Sequence, residues 1–65
     1  MIHLILPFDM GQWVRHKIHT QVTGTIHKYE VFQDGSELAW FESYNEDGTT
    51  QNNYCYRTRD IEAVP

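Results

Sequence analysis

The chain has 65 residues and a mass of 7.7 kDa, 40% of its residues are hydrophobic, and its net charge is -4. This length excludes a dinucleotide-binding unit, an α/β barrel and a helical repeat array, and the composition is that of a folded domain rather than a disordered segment. We therefore expect a single domain over residues 1–65. In so small a domain, the free energy gained by burying apolar surface roughly balances the conformational entropy lost on folding. Self-association as a homo-oligomer is the simplest further source of stability.

The first predicted strand covers residues 12–18 and follows a turn around Gly11. Its alternation places Val14, His16 and Ile18 on one face. Turn residues recur after it at intervals of about a dozen positions, which is the spacing of an all-β meander.

The second predicted strand covers residues 22–29 and places Tyr29 on the face opposite Gly24. A glycine inside a strand indicates a bend or a close approach of two backbones. The following Asp34-Gly35 predicts a two-residue type I′ hairpin turn, because this dipeptide tolerates the positive φ that both positions require.

The third predicted strand covers residues 36–44 and is followed by a hairpin turn at residues 45–48 and a polar stretch at residues 49–53. A fourth strand at residues 54–57, a single helical turn at residues 58–60 and a last strand at residues 61–64 complete the chain. The third strand has large apolar residues on both faces, Trp40 on one and Phe41 on the other, so we expect it to be partly covered on both sides. No stretch keeps a 3.6-residue period over three turns, which argues against a helix of ordinary length.

Five short strands with one short helical turn before the last describe an all-β chain, a small SH3-like barrel. The sequence contains F-x-x-G-x-x-V-x-x-K at residues 8–17, G-x-I at residues 24–26 and I-E-x-V at residues 61–64. In these motifs it resembles small SH3-like barrel proteins of bacteria and bacteriophages, most of them of unknown function. The resemblance implies the barrel fold and a protein of phage or mobile-element type.

The opening segment is also similar to the type II dihydrofolate reductases, which are tetramers of SH3-like barrels with an active site in the central pore. That family carries Val-Gln-Ile-Tyr before its last helical turn, where this chain has Asn53-Tyr54-Cys55-Tyr56. Only the tyrosine matches and the family's glutamine is absent, so the activity is not carried over. Since the sequence also lacks a phosphate-binding loop and a nucleophile elbow, we expect no enzyme and no cofactor.

Cys55 is the only cysteine, so it cannot form an intramolecular disulfide, and a reducing, cytoplasmic location is favoured. We expect it to be a buried or half-buried structural thiol. The apolar opening is too short to span a bilayer and lacks the features of a signal peptide, so no membrane partner is expected.

Four histidines, His3, His16, His19 and His27, raise the question of a metal site. Zinc requires three or four converging ligands, and a continuous strand would place His16 and His19 on opposite faces. We therefore expect surface histidines and no metal.

Aromatic residues make up 14% of the chain, more than the interior of one five-stranded barrel can hold. Trp and Tyr are frequent in protein interfaces, so the first hypothesis is a non-catalytic module that binds a protein; alternatively, these rings cover the open ends of the barrel. The candidate contact surface consists of Trp13, Tyr29, Trp40, Tyr44, Tyr54 and Tyr56, with Glu42, Glu46 and Asp47 at its rim.

Charge is unevenly distributed and suggests two alternatives: residues 1–28 have a net charge of +2, and residues 29–65 a net charge of -6. The first is a nucleic-acid-binding SH3-like barrel, with Trp13 and Tyr56 as stacking platforms beside the cations Arg15, Lys17, Lys28, Arg57 and Arg59. The overall negative charge disfavours nucleic acid as a partner. The second is an acidic inhibitor that imitates nucleic acid and blocks a host enzyme.

Overall fold

The computed structural model describes residues 6–65, which contain five strands and one 3-10 turn. These elements are β1 (Trp13–His16), β2 (Thr23–Val31), β3 (Glu37–Tyr44), β4 (Thr50–Arg57), the 3-10 turn (Thr58–Asp60) and β5 (Ile61–Ala63). The all-β class, the number of strands and the short helical turn before the last strand are confirmed.

The five strands form one antiparallel sheet in the order β4-β3-β2-β1-β5. Strands β1 to β4 are a meander, and β5 returns to pair with β1, placing Val14 opposite Ala63 and His16 opposite Ile61. Among residues 6–65, β4 and β5 lie at opposite edges and do not pair with each other. The sheet is therefore not closed by hydrogen bonds, and the predicted SH3-like barrel is not confirmed.

One face of the sheet, called the inner face below, carries the hydrophobic core. Its fully buried side chains are Val14, Ile26, Ala39, Phe41 and Ile61, and the partly buried Phe8, Val22, Tyr29, Tyr54 and Tyr56 pack against them. In β3 and β4 the core residues, Ala39 with Phe41 and Tyr54 with Tyr56, are separated by two positions, as the side-chain alternation of a strand requires. The opposite side is called the outer face.

The prediction that Ile18 shares the face of Val14 and His16 is wrong. Strand β1 ends at His16, and Ile18 lies in the following loop with 79% of its surface exposed. Alternation holds only where the backbone stays extended, so it does not reach residue 18.

A bulge in β2 overturns the prediction for Tyr29. Between Ile26 and Lys28 the pairing advances by two residues on β2 and by one on β3. The extra residue, His27, shifts the alternation, so Tyr29 lies on the inner face instead of opposite to it. There its hydroxyl donates a hydrogen bond to the carbonyl oxygen of Phe8 at 3.0 Å.

Gly24 marks a close backbone approach, as predicted from its place inside a strand. A Cβ atom added at this position would collide with the backbone carbonyl of Glu42 on β3. Only a residue without a side chain lets β2 and β3 pass so close to one another.

The two hairpin turns of the meander, residues 32–36 and 45–49, have the same backbone hydrogen bonds. In the first, Phe32 N donates to Ser36 O at 2.9 Å, and Gly35 N donates to Phe32 O at 3.0 Å. Only the glycine has a positive φ, +87°, and Asp34 does not. The predicted two-residue type I′ turn is therefore wrong, and the loop has three residues with glycine in the left-handed position.

An aspartate fastens each of these turns to the strand that follows. Asp34 Oδ1 accepts hydrogen bonds from the backbone N and the hydroxyl of Ser36, at 2.9 and 2.6 Å. Asp47 Oδ1 accepts the same two bonds from Thr49, at 2.9 and 2.6 Å. The sequence Asp-Gly-Ser/Thr thus builds the same turn at both ends of β3.

Candidate functional site

The sheet divides the nine predicted contact residues between its two faces and one turn. Trp13, Trp40, Glu42 and Tyr44 lie on the outer face; Tyr29, Tyr54 and Tyr56 lie on the inner face; Glu46 and Asp47 lie in the β3–β4 turn. The predicted single surface therefore exists only in part.

The inner-face tyrosines of β4 contribute to the core. The rings of Tyr54 and Tyr56 are tilted against Phe41, with centroid separations of 5.4 and 6.0 Å. Phe41 is fully buried, and these two rings cover the core on the side where Phe41 lies. They do not form one surface with the tryptophans.

Trp40 lies on the outer face of β3, and its indole contacts two neighbouring side chains, Glu30 and Lys28. Its indole N–H donates to Glu30 Oε1 at 3.0 Å. The ammonium nitrogen of Lys28 lies 5.4 Å from the Trp40 ring centroid and 3.5 Å from the same carboxylate oxygen. These contacts restrict the rotation of the indole, which is only partly buried.

Two further aromatic side chains on the outer face are more exposed. Trp13 is 51% exposed and Tyr44 is 44% exposed. The Tyr44 hydroxyl donates to Glu42 Oε2 at 3.0 Å. Thr25 separates Trp13 from Glu42 in the ladder, since it pairs with both. We call Trp13, Trp40, Tyr44, Glu30 and Glu42 the tryptophan face.

Glu30 is a member of this face that the sequence reasoning missed. It lies near Trp40 because the three-residue turn places it opposite Leu38, one outer-face position from the tryptophan. Counting back from a three-residue Asp-Gly turn would have paired residues 30 and 38, whereas the predicted two-residue turn gave a different register.

The five predicted nucleic-acid-binding cations are not brought together. Arg15 Nε contacts Glu62 Oε2 at 2.8 Å, and Lys28 contacts Glu30. Arg57 and Arg59 line a cleft of about 400 Å³ that also contains acidic side chains, and Lys17 follows the end of β1. Tyr56 and Trp13 lie on opposite faces, so they do not form one stacking platform.

His16 is buried, which contradicts the expectation of a surface histidine. It is 9% exposed, and its Nδ1 accepts the backbone N–H groups of Ile18 and His19, both at 3.1 Å. The edge of its ring meets Tyr56 at a centroid separation of 4.8 Å. An Nδ1 that accepts two hydrogen bonds carries no proton, so the ring is the Nε2–H tautomer and fastens the loop after β1.

His16 and His19 do not share one continuous strand, because β1 ends at His16, and their ring centroids are 5.0 Å apart. Over residues 6–65, no three His, Cys, Asp or Glu side chains are grouped so that they could hold a metal ion. His3 lies outside the described residues. His27 lies on the outer face, with Nε2 3.2 Å from Asn53 Oδ1 and 3.6 Å from Glu42 Oε1.

Cys55 is half-buried beside Trp40, as expected for a structural thiol. Burial raises its pKa, and the neighbouring Glu30 carboxylate raises it further against a smaller opposing effect of Lys28. The thiol is therefore protonated at neutral pH and is a poor nucleophile.

In the described part of the chain, no helix is both long and apolar enough to cross a bilayer. Neither protein-family models, nor curated proteins, nor solved structures provide a match to this chain.

Proposed function

We propose that the chain is a small non-catalytic binding module that contacts a protein through the tryptophan face. The observation that carries this proposal is the exposure of Trp13 and Tyr44 on the same face as a Trp40 held by Glu30 and Lys28. Large aromatic side chains supply most of the binding free energy in many interfaces. An indole that is already oriented loses little further freedom on binding.

The charge around this face suggests the chemistry of the partner. At the Tyr44 end, Glu42 lies on the sheet and Glu46 and Asp47 lie in the adjoining turn. An acidic rim beside exposed rings favours a protein with an apolar pocket flanked by Lys or Arg, since complementary charges orient the encounter.

A protein partner is preferred to a nucleic acid because two of the three basic residues on the outer face, Arg15 and Lys28, are engaged by acids. Arg15 contacts Glu62 at 2.8 Å, and Lys28 contacts Glu30 at 3.5 Å. A phosphate would have to displace these carboxylates, which reduces the electrostatic gain that drives nucleic-acid binding.

The finer fold assignment is part of the same proposal. A four-stranded meander followed by a 3-10 turn and a last strand that returns to β1 supports an SH3-like sheet. The phage or mobile-element type and a cytoplasmic location rest on the sequence motifs and the single cysteine.

The test compares two double variants of the tagged protein in capture experiments from cell extract. We expect Trp13→Ala/Tyr44→Ala to lose a protein that the wild type retains. The matched control, Ile18→Ala/Phe32→Ala, removes two exposed apolar side chains from loops and should retain it. Circular dichroism establishes that both variants are folded.

The retained protein is then purified and titrated against each variant. Loss of two hot-spot side chains should weaken binding by about 30-fold or more. Equal affinity for the tryptophan-face variant and the control would refute this site. Salt-dependent binding of a DNA duplex by the wild type, with no protein retained, would support the nucleic-acid alternative instead.

A further inference from the structure

The outer edge of β4, called the free edge because no strand within residues 6–65 pairs with it, is a second surface, separate from the tryptophan face. Among residues 6–65, β4 pairs with β3 alone and is one edge of the sheet. The hydrogen bonds of the first hairpin determine which backbone groups of β4 point outward. In that hairpin, Phe32 N donates to Ser36 O. Because bonded and non-bonded pairs alternate along an antiparallel ladder, Lys28 and Trp40 are a bonded pair.

The orientation of the N–H and C=O groups of β4 follows from that of their partners in β3. Trp40 directs its backbone groups toward β2, so its neighbours Ala39 and Phe41 direct theirs toward β4, where they meet Tyr56 and Tyr54. The tyrosine backbones therefore face β3. The backbone N–H and C=O groups of Asn53, Cys55 and Arg57 point to the free edge.

Between Asn52 and Tyr56, this edge lacks the devices that usually prevent strands from pairing between molecules. The bulge of β4 lies before Asn52, where the pairing with β3 skips Gln51, and Arg57 is the only charged residue of the strand. Strand β4 contains neither Pro nor Lys, and residues 48–56 carry no charged side chain. The whole chain has a net charge of -4, so two copies repel each other across most of their surfaces. On an acidic chain, an edge that carries no acidic residue and only Arg57 as a charge is suited to a second copy of the same chain.

We propose that two copies associate edge to edge through β4, antiparallel, with the twofold axis at Cys55. The two sheets then become one sheet of ten strands. This pairing places the outward backbone groups of Asn53 opposite those of Arg57 of the second copy, and the two Cys55 residues opposite each other. The interface is isologous, as a twofold axis requires.

The side chains favour this register over its neighbours. With the axis at Cys55, Tyr54 faces Tyr56 of the second copy on the inner side, and the pair occurs twice. An axis at Asn53 would place these tyrosines opposite Asn52 and Thr50, and an axis at Tyr54 would leave Tyr56 opposite Asn52. Aromatic cross-strand pairs stabilise antiparallel strands, so the register with two such pairs is selected.

The proposal goes beyond the proposed function, and the two fail independently. Self-association is measured on the purified chain, and partner capture is measured by the variants of the tryptophan face. A monomer that still captures its partner would overturn the β4 pairing alone.

The first test is sedimentation equilibrium of the purified wild type and two charge variants at position 53. The wild type should shift with concentration from 7.7 kDa to twice that mass. In Asn53→Lys, each new lysine lies opposite Arg57 of the other copy, so two pairs of like charges should weaken the dimer about tenfold. Asn53→Glu faces the same arginines and should strengthen it by a similar factor, although it makes each chain more acidic.

These opposite effects are specific to the register. Equal weakening by both variants, or a wild type that is monomeric at about 0.5 mM, would overturn the proposal. Position 53 is exposed, so both variants are expected to fold, and circular dichroism checks this.

The second test uses the thiol and copper(II) phenanthroline as the oxidant: two complexes each accept one electron and two protons pass to the buffer when two thiols form a disulfide. Directly opposite residues of a bonded pair have Cα atoms about 5.5 Å apart, within the range that a disulfide spans. Wild type should form a covalent dimer rapidly. The matched control, Asn53→Cys/Cys55→Ser, moves the thiol opposite Arg57 and should react at least about tenfold more slowly. Faster reaction of the control would place the axis at residue 53 and overturn this register.

Discussion

Gly24 has no space for a side chain, because the carbonyl of Glu42 occupies the position of its missing Cβ. We expect Gly24→Ala to lower the free energy of unfolding by about 1 to 3 kcal/mol, the range for overpacked sites. Urea denaturation followed by circular dichroism measures the change. Thr25→Ala, at the next position of the same strand, should cost less than about 1 kcal/mol; equal losses at the two positions would contradict the close approach.

His16 illustrates a residue whose role the sequence did not disclose. Alternation correctly placed it beside Val14 on the inner face. The bonds from its Nδ1 to the backbone of Ile18 and His19 depend on the chain turning immediately after β1. That turn has neither glycine nor proline to mark it, so the sequence alone predicts a surface histidine.

At the scale of elements, the two turns that flank β3 make stability dependent on pH. Hydrogen bonds from Ser36 lower the pKa of Asp34, and those from Thr49 lower the pKa of Asp47. The unfolded chain therefore takes up protons on these groups before the folded chain does. Their contribution to stability is complete above the ordinary pKa of 3.8 and is lost as the pH falls through the lower folded values.

We therefore expect the urea midpoint of the wild type to fall as the pH is lowered from about 5 to about 2. Asp34→Asn/Asp47→Asn keeps the acceptor oxygens but cannot be protonated, so its midpoint should fall less. Glu46→Gln removes a carboxylate from the same turn without touching these bonds and serves as the control. A double variant as acid-sensitive as the control would disprove the role of the turns.

The strands were largely predictable, and their register was not. Alternation places Ala39 and Phe41 on the same face of β3, because this depends on local pattern, but large apolar residues on both faces of the strand do not indicate which face is the core. The bulge at His27 has no signature in the sequence, since it arises from pairing with a strand more than ten residues away. The position of Tyr29 was therefore wrong by one face.

The candidate site was predictable to the same extent. Trp40, Glu42 and Tyr44 share one face of β3 by simple alternation, and the structure keeps them together. Tyr54 and Tyr56 were assigned to the same surface by composition alone. Their face depends on the register between β3 and β4, which places them against Phe41.

The whole molecule depends on very few buried side chains. A chain of 65 residues has a stability of about 3 to 10 kcal/mol, and replacing a buried Phe by Ala costs about 3 to 5 kcal/mol. We expect Phe41→Ala to be largely unfolded at 37 °C, as measured by thermal denaturation. Trp13→Ala, which removes a larger but half-exposed ring, should cost less than about 1.5 kcal/mol; a larger loss there than at Phe41 would contradict the assignment of the core to the inner face.

The division of aromatic residues also assigns a separate spectroscopic probe to each face of the sheet. Both tryptophans of the chain lie on the outer face, whereas Tyr29, Tyr54 and Tyr56 lie on the inner one. Tryptophan emission should therefore respond to a ligand on the outer face without any change in the core. Three of the four tyrosines, all except Tyr44, lie on the inner face. A change in near-ultraviolet circular dichroism without a change in tryptophan emission should therefore report the inner packing in the unlabelled protein.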